Sequence, residues 1–148
     1  MTAPDLVLDD QLCFALHSAS RAMTGCYRSL LDDIGLTYSQ YAVMLVLWED
    51  ETVALSVLCR RLHLDTGTLS PLLKRLEAQG LLERRRRSDD ERMMQVTLSD
   101  AGRALRDRAA GAQARVRVAT GLTDGALAVL RGELTALAER LRAADLQP

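Results

Sequence analysis

The sequence has no apolar run near the ~18 residues that a membrane span needs, and its first ten residues carry no lysine or arginine that could open a secretory signal. Cysteine is sparse and odd in number: Cys13, Cys26 and Cys59, with no CxxC and no Cys/His metal spacing. That argues against a disulfide framework and a zinc site, and for a reducing cytoplasm. A glycine-rich phosphate loop, a Ser/His/Asp arrangement and an HExxH are all missing, and the only histidines are His17 and His63. No cofactor, no metal, no membrane association and no enzyme activity are therefore expected. Lysine is almost absent, since of 19 cations only Lys74 is one. Arginine suits bidentate phosphate contact, but a GC-rich genome gives the same bias and is the simpler cause. Internal repeats, low-complexity tracts and linkers are lacking too. At 148 residues, 48% of them hydrophobic, the chain reads as a single domain over 1–148.

A net charge of −1 says nothing by itself about nucleic acid. Its distribution says more. Residues 55–98 hold nine basic and six acidic side chains, and the remainder holds ten basic and fourteen acidic. A basic patch on an acidic scaffold fits a DNA-binder that stays soluble and lets go of its site.

The pattern within 55–98 is specific. Leu69, Leu72, Leu73 and Leu76 recur at i, i+3, i+4, i+7, one apolar helical stripe, and Gly80 stops that helix where positive φ is cheap. Thr66, Ser70 and Lys74 share another face, with Thr68 and Arg75 beside them, the short hydroxyls and cations that contact with base edges and phosphates requires. A shorter helix, Ser56 to Leu62, precedes it with Leu55, Leu58 and Leu62 inward. Residues 82–86 and 92–98 read as two strands joined by a polar turn. A run of four arginines, Arg84 to Arg87, is ordinarily a solvated face. Here it lies on a hairpin one helix away from a reading-type helix, which points to DNA contact. The fold class is thus mainly α with a small β-hairpin wing, a winged helix-turn-helix.

Around this head the expected elements are helical. Residues 1–8 read as a loose arm. Asp9 or Asp10 caps a helix running to about Asp33, with Leu12, Leu16, Ala19, Met23, Cys26 and Leu30 in a stripe and Gly35 at its end. Thr37 or Ser39 starts the next, through Trp48, with Tyr41, Met44, Leu45 and Trp48 on one face. Residues 49–54 form a loop with room for one short strand. Past the wing, Ser99 caps a long helix with Leu105, Ala109, Ala112, Val116 and Ala119 in a stripe. Gly121 breaks it, and Thr123 caps a last helix carrying Leu127, Leu130, Leu134, Leu137 and Leu141. Such narrow seams belong to helix pairs. Residues 10–33 and 99–143 are therefore expected to build a dimerisation layer, with an intrachain bundle as the plainer alternative.

The run Leu64-Asp65-Thr66-Gly67-Thr68-Leu69-Ser70-Pro71-Leu72-Leu73-Lys74-Arg75-Leu76-Glu77, followed by Gly80-Leu81-Leu82 and Asp90-Glu91-Arg92, resembles the MarR family of dimeric transcriptional repressors. The resemblance implies double-stranded DNA with a pseudo-palindromic operator as partner. It also implies Arg84 and Arg92 as wing contacts, Asp90 as the acid that braces Arg92, and Asp65, Thr66, Thr68, Ser70, Lys74, Arg75 and Arg86 in or beside the DNA.

Cys13 falls in the first turn of the first helix, at its third or fourth position. Unpaired amides and the helix dipole favour a thiolate there, whereas Asp9 and Asp10 oppose it, so the sign of the net effect stays open. The usual role of a lone cysteine is a small buried hydrophobe. The segments Asp10 to Leu16, Ser20-Arg21 with Met23-Thr24 and Tyr27, and Leu36 to Tyr41 resemble one branch of that family, the organic-hydroperoxide-sensing repressors, over residues 10 to about 105 and more loosely beyond. The resemblance implies that Cys13 reacts with organic hydroperoxides, that Tyr27 and Tyr38 hold it by hydrogen bonds, and that a small cytosolic thiol caps the product or the cysteine over-oxidises. Some members carry a third tyrosine where this chain has His17, which either raises the thiolate content when protonated or substitutes in packing. Cys26 lies on a different face from Cys13, and Cys59 reads as core. The last helices carry no resolving cysteine.

On a continuous helix Cys13 and Tyr27 stand about 21 Å apart, so they meet only if two such helices cross antiparallel near residue 20. The expected function is a homodimeric repressor that releases its operator when Cys13 is oxidised. Its rivals are a repressor relieved by a small phenolic ligand, a thiol peroxidase, and a winged helix that binds protein instead of DNA.

Overall fold

In the computed structural model residues 6–87 and 90–146 are described, and of residues 90–92 the backbone alone. The chain divides into two compact units, Met1–Gln113 and Ala114–Pro148. The elements run α1 (Leu12–Leu31), α2 (Tyr38–Asp50), β1 (Thr52–Ala54), α3 (Leu55–Leu62), α4 (Thr66–Ala78), β2 (Leu82–Arg87), β3 (Asp90–Leu98), α5 (Asp100–Ala104), α6 (Arg106–Ala119) and α7 (Asp124–Ala143). The expected winged helix-turn-helix is present, mainly helical with a three-stranded antiparallel sheet in the order β1-β3-β2.

Local signals set the boundaries. Thr37 and Gln40 form a reciprocal capping box: the Thr37 hydroxyl accepts the Gln40 amide at 3.2 Å, and the Gln40 side chain accepts the Thr37 amide at 2.9 Å. Gly35 and Gly80 take φ of +72° and +75°. Each closes a Schellman turn, with Leu36 N–H on the Leu31 carbonyl and Leu81 N–H on the Leu76 carbonyl. Ser99 caps α5 and Thr123 caps α7.

Most boundaries fall within two residues of expectation, and two differ in kind. Asp9 and Asp10 lie inside a 3-10 turn, Leu8–Asp10, and the N-cap of α1 is Gln11, whose side chain turns back to the Val7 carbonyl at 2.9 Å. Cys13 is consequently the second helical residue. The helix expected after Ser99 is stepped at Leu105 into α5 and α6.

Helix α2 is the centre of the first unit. Gln40, Tyr41, Val43, Met44, Val46 and Leu47 are buried on it, so it is covered on more than one side. Leu45, expected inward, is instead 43% exposed and forms the wall of a groove. Leu31, Leu58, Leu69, Leu73, Leu76, Leu82 and Val96 complete the core. The stripe of α4 is buried as the leucine spacing predicts, with Leu72 at its edge.

Helix α1 has only Leu31 buried, and Leu12 and Met23 of its stripe are 62% and 46% exposed. In the second unit α7 has no buried residue, with Leu130, Leu134 and Leu141 of its stripe exposed. There Gly121 turns the chain at φ +68°, and Arg117 pairs with Asp124. No described helix is long and apolar enough to cross a membrane.

Candidate nucleic-acid interface and thiol site

The reading head is assembled around one turn. Helix α3 ends at His63, a non-glycine residue in the left-handed region at φ 53°, ψ 41°, and Leu64 N–H closes onto the Cys59 carbonyl at 3.0 Å. Asp65 then caps α4, its carboxylate accepting the Thr68 amide at 2.7 Å. That hydrogen bond holds the Asp65 carboxyl below the usual carboxylate range. With Leu69, Leu73 and Leu76 fixed inward, the helical period leaves Thr66, Thr68, Lys74 and Arg75 exposed and Ser70 half-buried. The residues singled out from sequence therefore share the solvent side of α4. Cys59 is half-buried at the edge of the core, its Sγ 3.8 Å from the Thr66 hydroxyl.

The wing pairs Arg84 with Val96 and Arg86 with Met94, with a register shift between Arg86 and Arg87. Its arginines are not alike. Arg84 turns onto α4: Glu77 accepts its backbone amide at 2.8 Å, its Nη2 at 3.1 Å and its Nε at 3.3 Å. The same contacts hold the Glu77 carboxyl low. Arg85 meets Glu83 at 3.1 Å. Arg86 and Arg87 are exposed, and among the described side chains none forms an ion pair with them. The side chains of Asp90 and Arg92, expected to brace one another, lie outside the described residues.

The thiol and the phenols sit at opposite ends of α1. Cys13 and His17 are exposed on its first turns. The first intrahelical bond is Ala15 N–H to the Gln11 carbonyl, so the Cys13 amide is one of the unpaired donors of the helix start. Near the other end, Tyr27 meets Tyr38 and Tyr41 of α2, ring centroids 5.3 Å away in each case, and Tyr38 and Tyr41 are 5.9 Å apart. Burial, above all, raises the pKa of Tyr27 and Tyr41.

Tyr41 belongs to this cluster although its spacing with Met44 and Trp48 reads as core. Its i, i+3 spacing from Tyr38 is the signal that could have placed it there. Since α1 is continuous from Leu12 to Leu31, Cys13 and Tyr27 of one chain are about 21 Å apart along it. The structure brings together Tyr27 and Tyr38, and within one chain it brings neither to Cys13.

Beside the phenols a groove of about 310 Å3 runs between α2 and α6, lined by Tyr41, Leu45, Trp48, Arg106, Ala109 and Gln113 among others. Trp48 stands edge-on to Tyr41 at 6.2 Å. Among the described residues no histidine, cysteine or carboxylate cluster is arranged to hold a metal ion.

Three comparisons bear on this arrangement. The sequence model described as transcriptional regulator SarA/Rot matches residues 26–108. The organic hydroperoxide resistance transcriptional regulator of Bacillus subtilis (strain 168) is 46% identical over 102 residues, 69% of this chain and 69% of that protein. The HTH-type transcriptional regulator TtmR of Methylorubrum extorquens (strain PA1) is 44% identical over 136 residues, 92% of this chain and 70% of its own length. Among solved structures, reduced AbfR bound to DNA superposes with a TM-score of 0.76 at 34% identity, covering 90% of this chain and 93% of that one. Overoxidised AbfR bound to DNA superposes at 0.75, again at 34% identity, covering 90% of this chain and 94% of that one. With the family match spanning more than half of its length and relatives at this identity, the chain belongs to the MarR/SarA family of winged helix-turn-helix transcriptional regulators, and it is not an enzyme.

Proposed function

We propose that this chain is a homodimeric, DNA-binding repressor that senses organic hydroperoxides through Cys13. In this reading α4 enters the major groove with Thr66, Thr68, Ser70, Lys74 and Arg75 on its outer side. Arg86 and Arg92 contact the DNA from the wing, and Asp65 acts through its cap. Residues 10–33 and 99–143 form the layer that joins two chains, and 55–98 form the reading head.

One observation carries the sensing half. The reactive-type cysteine and the phenol of Tyr27 lie on one continuous helix, too far apart to meet, and that helix leaves Leu12 and Met23 of its apolar stripe exposed. Two copies of α1 crossed antiparallel near Ser20 cover both stripes. Each then sets Cys13 beside the partner's Tyr27 and Tyr38. The name of the Bacillus subtilis relative supports hydroperoxide as the signal, and the reduced, overoxidised and disulfide forms named for AbfR support thiol chemistry as the means.

The chemistry is stoichiometric. The Cys13 thiolate attacks the terminal oxygen of the hydroperoxide; the S–O bond forms as the O–O bond breaks. The alcohol leaves with one proton from solvent, and Cys13 becomes a sulfenic acid. A small cytosolic thiol then condenses with it, giving a mixed disulfide and water. The added group disrupts the contacts at the crossing. Two reading heads must stay roughly 34 Å apart to occupy successive major grooves, so a displacement of a few ångströms there lowers affinity.

The test compares wild type with Cys13→Ser on a duplex enriched by the wild-type protein from a randomised pool. Cumene hydroperoxide should release the wild type and leave the variant bound, and intact mass should show one added oxygen on the wild type alone. Equal release of both sinks the redox reading.

The groove beside Tyr41 favours a second reading, relief by a small phenolic ligand seated against Trp48 with Arg106 at the rim. Release of both proteins by salicylate selects it.

A further inference from the structure

The four wing arginines are adjacent in sequence but not in what they touch. Strand β2 is at the edge of the sheet, so alternate amides along it point away from β3 and need partners elsewhere. The Arg84 amide is one of these, and Glu77 of α4 takes it at 2.8 Å. The other oxygen of the same carboxylate takes the Arg84 guanidinium through Nη2 and Nε, at 3.1 and 3.3 Å. A single side chain on α4 therefore grips both the main chain and the side chain of one wing residue. Arg84 is only 23% exposed and Glu77 37%. Two residues further along the same face of β2, Arg86 is exposed.

The geometry points to Glu77 and Arg84 as a positioning pair that fixes the angle between the reading helix and the wing, with Arg84 neutralising no phosphate. The inference rests on the DNA-binding half of the proposed function and is independent of the peroxide half. Two physical arguments carry it. First, a guanidinium bonded to a carboxylate through two nitrogens is already neutralised where it stands, so a phosphate would have to displace the carboxylate to gain it. Second, a pair that spans α4 and β2 constrains two elements that must meet the same duplex, one in a groove and one along the backbone. A small change in the angle between them misaligns one when the other is docked. Arg86, exposed on the same face of β2, is then an arginine left free to meet phosphate.

Salt dependence separates the two roles. Each phosphate neutralised contributes about 0.9 to the slope of log affinity against log salt on duplex DNA. The measurement uses the duplex selected from a randomised pool, with the full-length protein, from low to moderate salt. Arg86→Ala should lower the slope by about 0.9. Arg84→Ala should leave the slope unchanged while weakening binding roughly tenfold.

Glu77→Gln supplies the opposite-sign test. It should weaken binding by a similar factor, and the double variant should be no weaker than either single one, as a shared interaction requires. Were Arg84 a phosphate contact, removing the competing carboxylate would tighten binding.

Arg84→Lys covers the case in which the alanine variant fails to fold. It keeps the charge but cannot reproduce the two-nitrogen grip, so it should bind as weakly as Arg84→Ala should, roughly tenfold below wild type. A slope reduced by about 0.9 in Arg84→Ala, tighter binding in Glu77→Gln, or wild-type affinity in Arg84→Lys each overturns the inference. A wild-type protein with no salt-dependent affinity for any duplex removes the DNA-binding reading itself, and this pair's role with it.

Discussion

Trp48 donates its indole N–H to the carbonyl oxygen of Gly102 at 2.8 Å, joining the end of α2 to the start of α5. Gly102 fits there because it has no side chain: a Cβ would lie 2.2 Å from the Leu81 carbonyl oxygen and 2.7 Å from a Leu98 methyl. Its amide is also fixed, donating to the Ser99 hydroxyl at 3.0 Å, which in turn donates to the Gly80 carbonyl at 2.6 Å. The first prediction is therefore that Gly102→Ala destabilises the protein by roughly 1–3 kcal/mol, the range of an overpacked core. Urea unfolding followed by the fluorescence of Trp48, the single tryptophan, measures it. A loss within 0.5 kcal/mol, approximately the effect of a free surface position, contradicts the close packing.

His63 occupies the left-handed region at the end of α3, in the turn that aims α4. For a residue with a Cβ this costs about 1–2 kcal/mol, and more for a β-branched one. His63→Gly should thus leave stability equal or slightly higher, the relief offset by the greater freedom of an unfolded glycine. His63→Val should lower it by about 1–2 kcal/mol. Thermal melting of the three proteins decides this, and a destabilised glycine variant would show that the imidazole holds the turn by contacts and not in spite of its backbone.

What was legible in the sequence is what local chemistry controls. Thr37, Ser99 and Thr123 act as caps, Gly35, Gly80 and Gly121 as positive-φ stops, and the leucine spacing of α4 as a buried stripe, because each signal lies within four residues of its effect. Asp9 and Asp10 misled because two good caps in succession do not say where helical geometry begins, and Gln11 secured the turn through Val7. Tyr41 read as core because it is core, and its second role depends on Tyr27 arriving from another helix. Glu77 and Arg84 have no common period, being joined across the Gly80 turn. Gly102 carries no special φ, and its need to be glycine comes wholly from the Leu81 backbone against it. Contacts between elements were hidden, whereas most element ends, the start of α1 apart, were not.

The tyrosine cluster sets an alkaline limit. Burial raises the pKa of Tyr27 and Tyr41 above the ordinary 10.0. A group whose folded pKa is raised contributes stability that is complete below the unfolded pKa and is lost as pH rises through and beyond it, because the unfolded chain ionises first. Stability should therefore fall as pH passes about 10, by no more than about 1.4 kcal/mol per pH unit for each proton withheld. Tyr41→Phe should flatten that decline. Urea unfolding at a series of pH values reads the slope; an identical slope in the variant would mean that Tyr41 ionises as freely folded as unfolded.

The proposed arrangement across two chains makes the most discriminating prediction. If each sensor takes Cys13 from one chain and Tyr27 from the other, defects on different chains complement. Cys13→Ser homodimers should show no oxidation at this position, and Tyr27→Phe homodimers should react several-fold more slowly than wild type, lacking a phenol that hydrogen-bonds the thiolate. A heterodimer of the two variants, isolated with different affinity tags, has one reactive thiol. That thiol belongs to the Tyr27→Phe chain, and under antiparallel crossing it faces the intact Tyr27 of its partner. Its rate with cumene hydroperoxide should then equal the wild-type rate per thiol. A sensor built within one chain would pair that thiol with the phenylalanine and leave it slow. A slow heterodimer would separate Cys13 from the partner's phenol, and would leave the uncovered stripe of α1 as evidence for dimerisation alone.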